Sequence, residues 1–261
     1  MARRWFDFYS RDQLELDTSN RVWSVETLSF GRPGEGADDD SPYLMANEWI
    51  ASSIGWLLRV PVPPFALMRH PGHKGMFVSL HVDPRKLVPP PDTKPDELVK
   101  RHPDVSTGIV LFDILIANID RHEGNLLVDD PDAPTQVDVI DHDRSIFGHF
   151  PGEADQRLRR LQGKLAVTGT PDCGTGALRH CLIDHLTNKD LFEKWLRRIE
   201  TIPDTFIDDI CDETMGVGVT RELVELAKAF LIERKRGIRE LVFAKRAEFR
   251  SIPRGKWGLY L

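Results

Sequence analysis

Asn118-Ile119-Asp120-Arg121-His122-Glu123-Gly124-Asn125, followed sixteen residues after Asn125 by Asp141 within Val139-Ile140-Asp141-His142-Asp143, is the stretch on which the reading of this chain turns. Immediately upstream, Val105 to Ile119 is apolar nearly all round (Ile109, Val110, Leu111, Phe112, Ile114, Leu115), the pattern of a buried central helix. Downstream, Leu126-Leu127-Val128 and Val137-Asp138-Val139-Ile140 flank the turn-rich segment from Asp129 to Thr135 and read as a β-hairpin. A buried helix therefore runs into a polar loop, and a hairpin brings a second acidic segment back beside it. Asp and Asn crowd ordinary turns because they bond their own backbone, so each of these residues alone says little. Their compound order says more.

Transfer of a phosphoryl group from ATP needs little covalent help from a protein. It needs an in-line nucleophile and cations that offset phosphate charge. Magnesium takes hard oxygen ligands, usually one or two carboxylates completed by phosphate oxygens and water. A carboxylate at the end of a strand, Asp141, and an amide oxygen on a neighbouring loop, Asn125, can serve from two sides. Asp120, on the same loop as Asn125, can then accept or orient an incoming hydroxyl.

Asp followed five positions later by Asn, then a hairpin ending in Asp, is the order of the kinase catalytic and metal-binding loops. The spelling Asp120-Arg121-His122-x-x-Asn125 resembles the phosphoinositide kinases and, more closely, the bacterial HipA-like serine/threonine kinases. The likeness covers residues 110–148 and, more loosely, 43–65, where Asn47-Glu48 and Val60-Pro61-Val62-Pro63 resemble the family's small lobe; nothing is recognisable after about 150. The resemblance implies an α+β, protein-kinase-like fold of two lobes: a small mixed N-terminal lobe over residues 1–90 and a mainly helical C-terminal lobe over 91–261. It implies ATP and Mg2+ (or Mn2+) as cofactors, Asp120 as catalytic base, and Asn125 and Asp141 as metal ligands. Glu48 matches the helix glutamate of the small lobe, and Asn118, Arg121 and His122 are expected to brace the loop. Asp143 reads equally as a further metal neighbour or as a turn residue, and Asp113 as a structural carboxylate near the cleft floor.

Outward from this centre, Arg21 to Phe30 reads as strand, and Gly31-Arg32-Pro33-Gly34-Glu35-Gly36 with Asp38-Asp39-Asp40 as a solvated loop. Tyr43 to Leu58 has helical spacing and must stop at the prolines that follow. Phe65 to Met68 and Met76 to Val82 read as strands, and the proline-rich segment Pro84 to Pro95 as the stiff connector between lobes. Helices are expected near 153–163, 175–187, 189–200, 203–212 and 219–249.

With 261 residues, 41% hydrophobic and 29% charged, the chain can bury a real core. A net charge of −6 argues against a general nucleic-acid binder, which carries a basic face. Three cysteines without a CxxC pair read as reduced thiols. The cluster His180, Cys181 and His185 is better explained by a partly buried amphipathic helix than by a metal. Neither a leader nor a membrane span is recognisable, so a cytoplasmic location without membrane contact is expected.

One part of the pattern departs from the family. The strand that should end in a phosphate-holding lysine reads Val22-Trp23-Ser24-Val25-Glu26, with Glu26 at the lysine position, and no lysine precedes Lys74. The N-terminal segment also looks too short for the leading strand pair of a full small lobe. Arg21, Arg32 and Lys74 are the candidate replacement cations. The leading expectation is a kinase acting on a protein serine or threonine hydroxyl, with a protein substrate or regulatory partner. A pseudokinase scaffold and a small-molecule or lipid kinase are the alternatives.

Overall fold

A computed structural model describes residues 10–14, 22–26, 29–33, 41–68, 75–80, 93–169, 177–253 and 257, with backbone alone for the first three strands. The chain is mixed α+β, with small antiparallel sheets and a larger helical part.

Strand β1 (Ser10–Leu14) pairs antiparallel with β2 (Val22–Glu26), Leu14 opposite Val22 and Ser10 opposite Glu26. A leading strand pair therefore does fit ahead of the first helix, against expectation, because short antiparallel strands need only a brief connection. The expected single strand over 21–30 is divided, with β3 (Ser29–Pro33) joining a second sheet. Gly31, Arg32 and Pro33, expected in a loop, lie in β3 instead. That sheet has the order β3-β5-β4, where β4 is Phe65–Met68 and β5 is Met76–Leu80. Pro33 is tolerated because β3 is an edge strand, where a missing N–H can face outward.

Helix α1 (Leu44–Leu58) stops at Arg59, whose left-handed backbone (φ 61°) lets Val60 N–H reach the Gly55 carbonyl at 2.8 Å. Its residues Ile50, Ile54 and Leu58 share one core with the helices that follow, whereas Leu44 and Met45 pack with Phe77 of β5 in a small separate cluster. Helix α1, in the segment 1–90 expected as the small lobe, thus packs into the same core as the later helices.

Most of the expected connector, residues 84–92, lies outside the described residues. Its last proline opens an unexpected helix, α2 (Pro95–Arg101), which leads into α3 (Pro103–Leu115). In both, proline sits at the first helical position with an acid in the first turn, where neither costs anything. The helix expected to run to Ile119 ends at Leu115; Ala117 turns to φ 54°, and the buried run Ile116–Ile119 continues without helical geometry. Strands β6 (Leu126–Val128) and β7 (Val137–Val139) form the expected hairpin, Leu126 opposite Val139.

Beyond it come α4 (Ala154–Leu161), α5 (Asp190–Glu200), α6 (Asp204–Asp212) and α7 (Arg221–Ala244), close to the expected spans. The helix expected over 175–187 is absent among the described residues. Thr168 instead bridges to Arg179, and Ile183–His185 forms a single 3-10 turn. Buried Arg234 of α7 donates to the carbonyls of Ile114, Leu161 and Lys164, tying α7 to the end of α3 and to the chain after α4.

Candidate active site

The hairpin sets the geometry. Since Leu126 faces Val139, the ladder continued by one step places Asn125 opposite Ile140, and Ile140 N–H donates to the Asn125 carbonyl at 3.2 Å. Asp141 follows directly. Asn125 and Asp141, sixteen residues apart in sequence, are thus held side by side by strand register.

A fully buried charge cluster fixes this arrangement from below. Asp113, on the last turn of α3, has no exposed surface, and neither does the Arg121 side chain. Arg121 Nε and Nη2 donate to the two Asp113 oxygens at 2.8 and 3.1 Å. Arg121 Nη1 donates to the carbonyls of Asn125, at 2.9 Å, and of Ile140. The guanidinium therefore joins the loop, both ends of the hairpin and the helix. Asn118 Nδ2 donates to Asp113 Oδ1 at 3.1 Å, while Asn118 Oδ1 accepts the Asp120 N–H at 3.1 Å.

His180 completes the cluster. Its Nδ1 accepts the Leu182 N–H at 3.1 Å, so its Nε2 carries the proton and donates to Asp113 Oδ2 at 3.0 Å. Burial pushes the His180 pKa down, which keeps the ring neutral despite the carboxylate beside it. Burial pushes the Asp113 carboxyl the other way, but the Arg121 charge and the hydrogen bonds from His180 and Arg121 outweigh it and hold the group well below the usual carboxylate range. The helix expected to explain His180 and Cys181 is thus replaced by a specific bond to Asp113. Cys181 and Cys211 are free thiols, each pushed up to about 12 by burial and therefore unreactive.

Asp120 is only partly buried. Burial raises its pKa, nearby Asp141 adds to the rise, and Arg144 and His122 oppose it; the net direction is upward. Arg144 Nε stands 3.4 Å from Asp120 Oδ2. Asp141 adopts φ 60°, a left-handed backbone uncommon outside glycine, two residues after the end of β7. His122, within the same loop, accepts the Gly124 N–H with its Nδ1 at 3.1 Å.

Helix α1 reaches this centre through two neighbouring residues. Glu48 accepts the His142 N–H with Oε1 and faces His142 Nδ1 with Oε2, each at 3.0 Å. Asn47 donates to the carbonyls of Asp143 (2.6 Å) and Gly148 (3.0 Å) and accepts the Phe147 N–H at 2.9 Å. Asp143 lies 3.5 Å from the His149 ring nitrogen Nδ1. Buried Arg157 of α4 donates to the carbonyls of Ala117 and Arg144 at 2.8 Å and of Ser145 at 3.1 Å, closing the loop from the far side.

The residues present fit a hard divalent cation. Asn125 commits its amide nitrogen to the Asp120 carbonyl at 3.0 Å, which leaves its amide oxygen as the atom able to ligate a cation. Among the described residues no group of three or more His, Cys, Asp or Glu side chains is arranged around a metal position. Magnesium bound largely through phosphate oxygens and water requires no such group. Arg21 and Lys74 fall outside the described residues, as do the side chains of Glu26 and Arg32.

Sequence reasoning missed Asn47, Arg144, Arg157 and His180 as parts of this centre. Arg144 follows Asp143 directly, and a cation beside a run of acids was the available signal. Arg157 and His180 gave none, because their partners are backbone carbonyls and a carboxylate distant in sequence. No protein-family model and no curated protein matches the chain. Among the described residues, no helix is long and apolar enough to cross a membrane.

Proposed function

We propose that this chain is an ATP- and divalent-metal-dependent kinase of the HipA-like type, two-lobed in the protein-kinase manner, that phosphorylates a serine or threonine hydroxyl of a protein. The observation that carries this reading is the register-locked pair Asn125–Asp141 beside a half-buried Asp120 whose affinity for a proton is raised. Asp120 takes the proton of the acceptor hydroxyl as that oxygen bonds to the γ-phosphorus, and the bond to the β-phosphate oxygen breaks, releasing ADP. A carboxylate with a raised pKa is the stronger base for that transfer. Asn125 and Asp141 would hold magnesium or manganese, which supplies charge stabilisation to the phosphates. Asp113 and Arg121 touch no substrate; they hold the loop in shape.

The basic residues of α7 give a lipid acceptor no support. Arg239 pairs with Glu193 and Glu200, Lys228 with Asp212 and Glu225, and Lys235 and Arg236 with Asp204, so these charges serve the helical bundle. A scaffold reading has one specific observation in its favour. No lysine precedes Lys74, so the sequence offers none ahead of α1 to pair with Glu48 as a kinase would.

Thermal melting with ATP and magnesium separates the two. Ligand at one hundred times its dissociation constant stabilises the native state by about 2.7 kcal/mol, so a catalyst should melt several degrees higher with nucleotide and Asp141→Ala should not. A melting point indifferent to millimolar ATP with magnesium or manganese would favour the scaffold.

A further inference from the structure

We propose that the cavity beside Asp120, walled by Arg144, His149, Arg157 and Arg160, seats an acidic side chain of the acceptor, so that the segment recognised is a hydroxyl-bearing peptide with a neighbouring carboxylate or phosphate. The inference rests on Asp120 being the base only for its catalytic meaning.

The cavity, of about 280 Å³, lies between Ile119, the residue before Asp120, the loop from Arg144 to Phe150, and one face of α4. Among the described residues, its walls bring three arginines and a histidine together with a single acid, Glu153. That is a local reversal in a chain whose net charge is −6, so an anion drawn here is drawn by the cavity and not by the protein as a whole.

Each arginine is placed differently. Arg157 is buried and oriented by its bonds to backbone carbonyls. Arg144 stands between the cavity and Asp120, 3.4 Å from the Asp120 oxygen, so a group bound at the cavity is within reach of the same guanidinium that faces the base. Arg160 lies one turn beyond Arg157 on α4, is exposed, and has no ion-pair partner among the described residues. Planar guanidinium groups match carboxylate and phosphate in two-pronged geometry.

Size and surroundings favour a side chain of a peptide. The volume is at the lower edge of that used by small-molecule sites and is enough for one acidic side chain. Phe150 stands more than half exposed at the rim, against the edge of the His149 ring, and offers apolar surface to the flanking chain.

The test is fluorescence anisotropy on the full chain without nucleotide. Three labelled peptides of equal length share one serine, flanked by glutamates, by glutamines, or by phosphoserines. Charge-assisted bonds to arginine of about 1.5–3 kcal/mol predict that the glutamate peptide binds at least about tenfold more tightly than the glutamine peptide. Arg160→Glu should remove most of that preference and Arg160→Gln part of it, while Arg221→Glu, exposed at the start of α7 and outside the cavity, should leave it intact. The phosphoserine peptide tells which anion fits better: tighter binding than glutamate assigns phosphate, and equal or weaker binding assigns carboxylate. Equal binding of the glutamate and glutamine peptides, or a preference that survives Arg160→Glu, overturns the proposal. Selective binding without phosphate transfer would retire the kinase reading and leave the subsite; transfer to both peptides alike would do the reverse.

Discussion

Arg121 and Asp113 form a two-pronged ion pair, Nε to Oδ2 at 2.8 Å and Nη2 to Oδ1 at 3.1 Å, with no solvent-exposed surface on either side chain. Taking both charges out of water is costly, and the pair persists because each guanidinium nitrogen has an acceptor: the one not facing Asp113 binds the Asn125 and Ile140 carbonyls. Removing one partner leaves the other buried and unneutralised. Asp113→Ala should therefore destabilise the chain by about 3–5 kcal/mol, read from urea denaturation. A loss under about 1 kcal/mol would mean that the cluster is not the keystone of the loop.

The same pair sets a pH dependence. The folded-state pKa of Asp113 is depressed, so its stabilisation is complete above the unfolded value of about 3.9 and fades as pH falls below it. The stability gap between wild type and Asp113→Asn should be widest near neutrality and should narrow as the pH drops below about 4. A gap independent of pH would contradict the assignment.

Asp120 carries the opposite sign. Its folded-state pKa is raised, so ionisation costs stability at neutral pH and the cost disappears on acidification. Asp120→Asn should melt a few degrees higher than wild type near pH 7, converge with it below about pH 4, and lose activity throughout. Melting below wild type at pH 7 would mean that the Arg144 contact outweighs burial.

Packing between α3 and α5 admits no side chain at Gly108. A Cβ built there would lie 2.2 Å from the Trp195 ring. Alanine improves helix propensity by about 1 kcal/mol, but a clash of this depth must displace the indole, whose Nε1 donates to Asp104 at 3.0 Å. Gly108→Ala should therefore cost a net 1–3 kcal/mol, an order-of-magnitude figure typical of overpacking, and Trp195→Ala should cancel most of the difference in a double-mutant cycle.

Much of the centre was legible in the sequence because strand register and apolar periodicity are local. The hairpin that aligns Asn125 with Asp141 follows from two short, mainly apolar runs and the turn between them. The end of α3 was less legible. Ile116 to Ile119 stays buried after helical geometry stops, and burial without periodicity cannot mark a helix end. The strand containing Gly31 and Pro33 was hidden because both residues usually punctuate strands, and only edge placement permits them. His180 and Arg157 were hidden for another reason. Their roles depend on Asp113 and on the carbonyls of 117 and 144–146, contacts made only once the chain is folded. Helix α2 could have been found, since Pro95 followed by Asp96 and Glu97 is a start signal as plain as Pro103-Asp104.

The central claim is that Asp120, Asn125 and Asp141 act together on ATP. Incubation of the purified chain with γ-labelled ATP and magnesium, against a protein or peptide acceptor, tests it most directly. The account predicts label on a serine or threonine hydroxyl with wild type, and loss of at least about a hundredfold in Asp120→Ala and in Asp141→Ala, the scale of a lost general base or metal ligand. Label transfer undiminished in both variants would place the chemistry elsewhere.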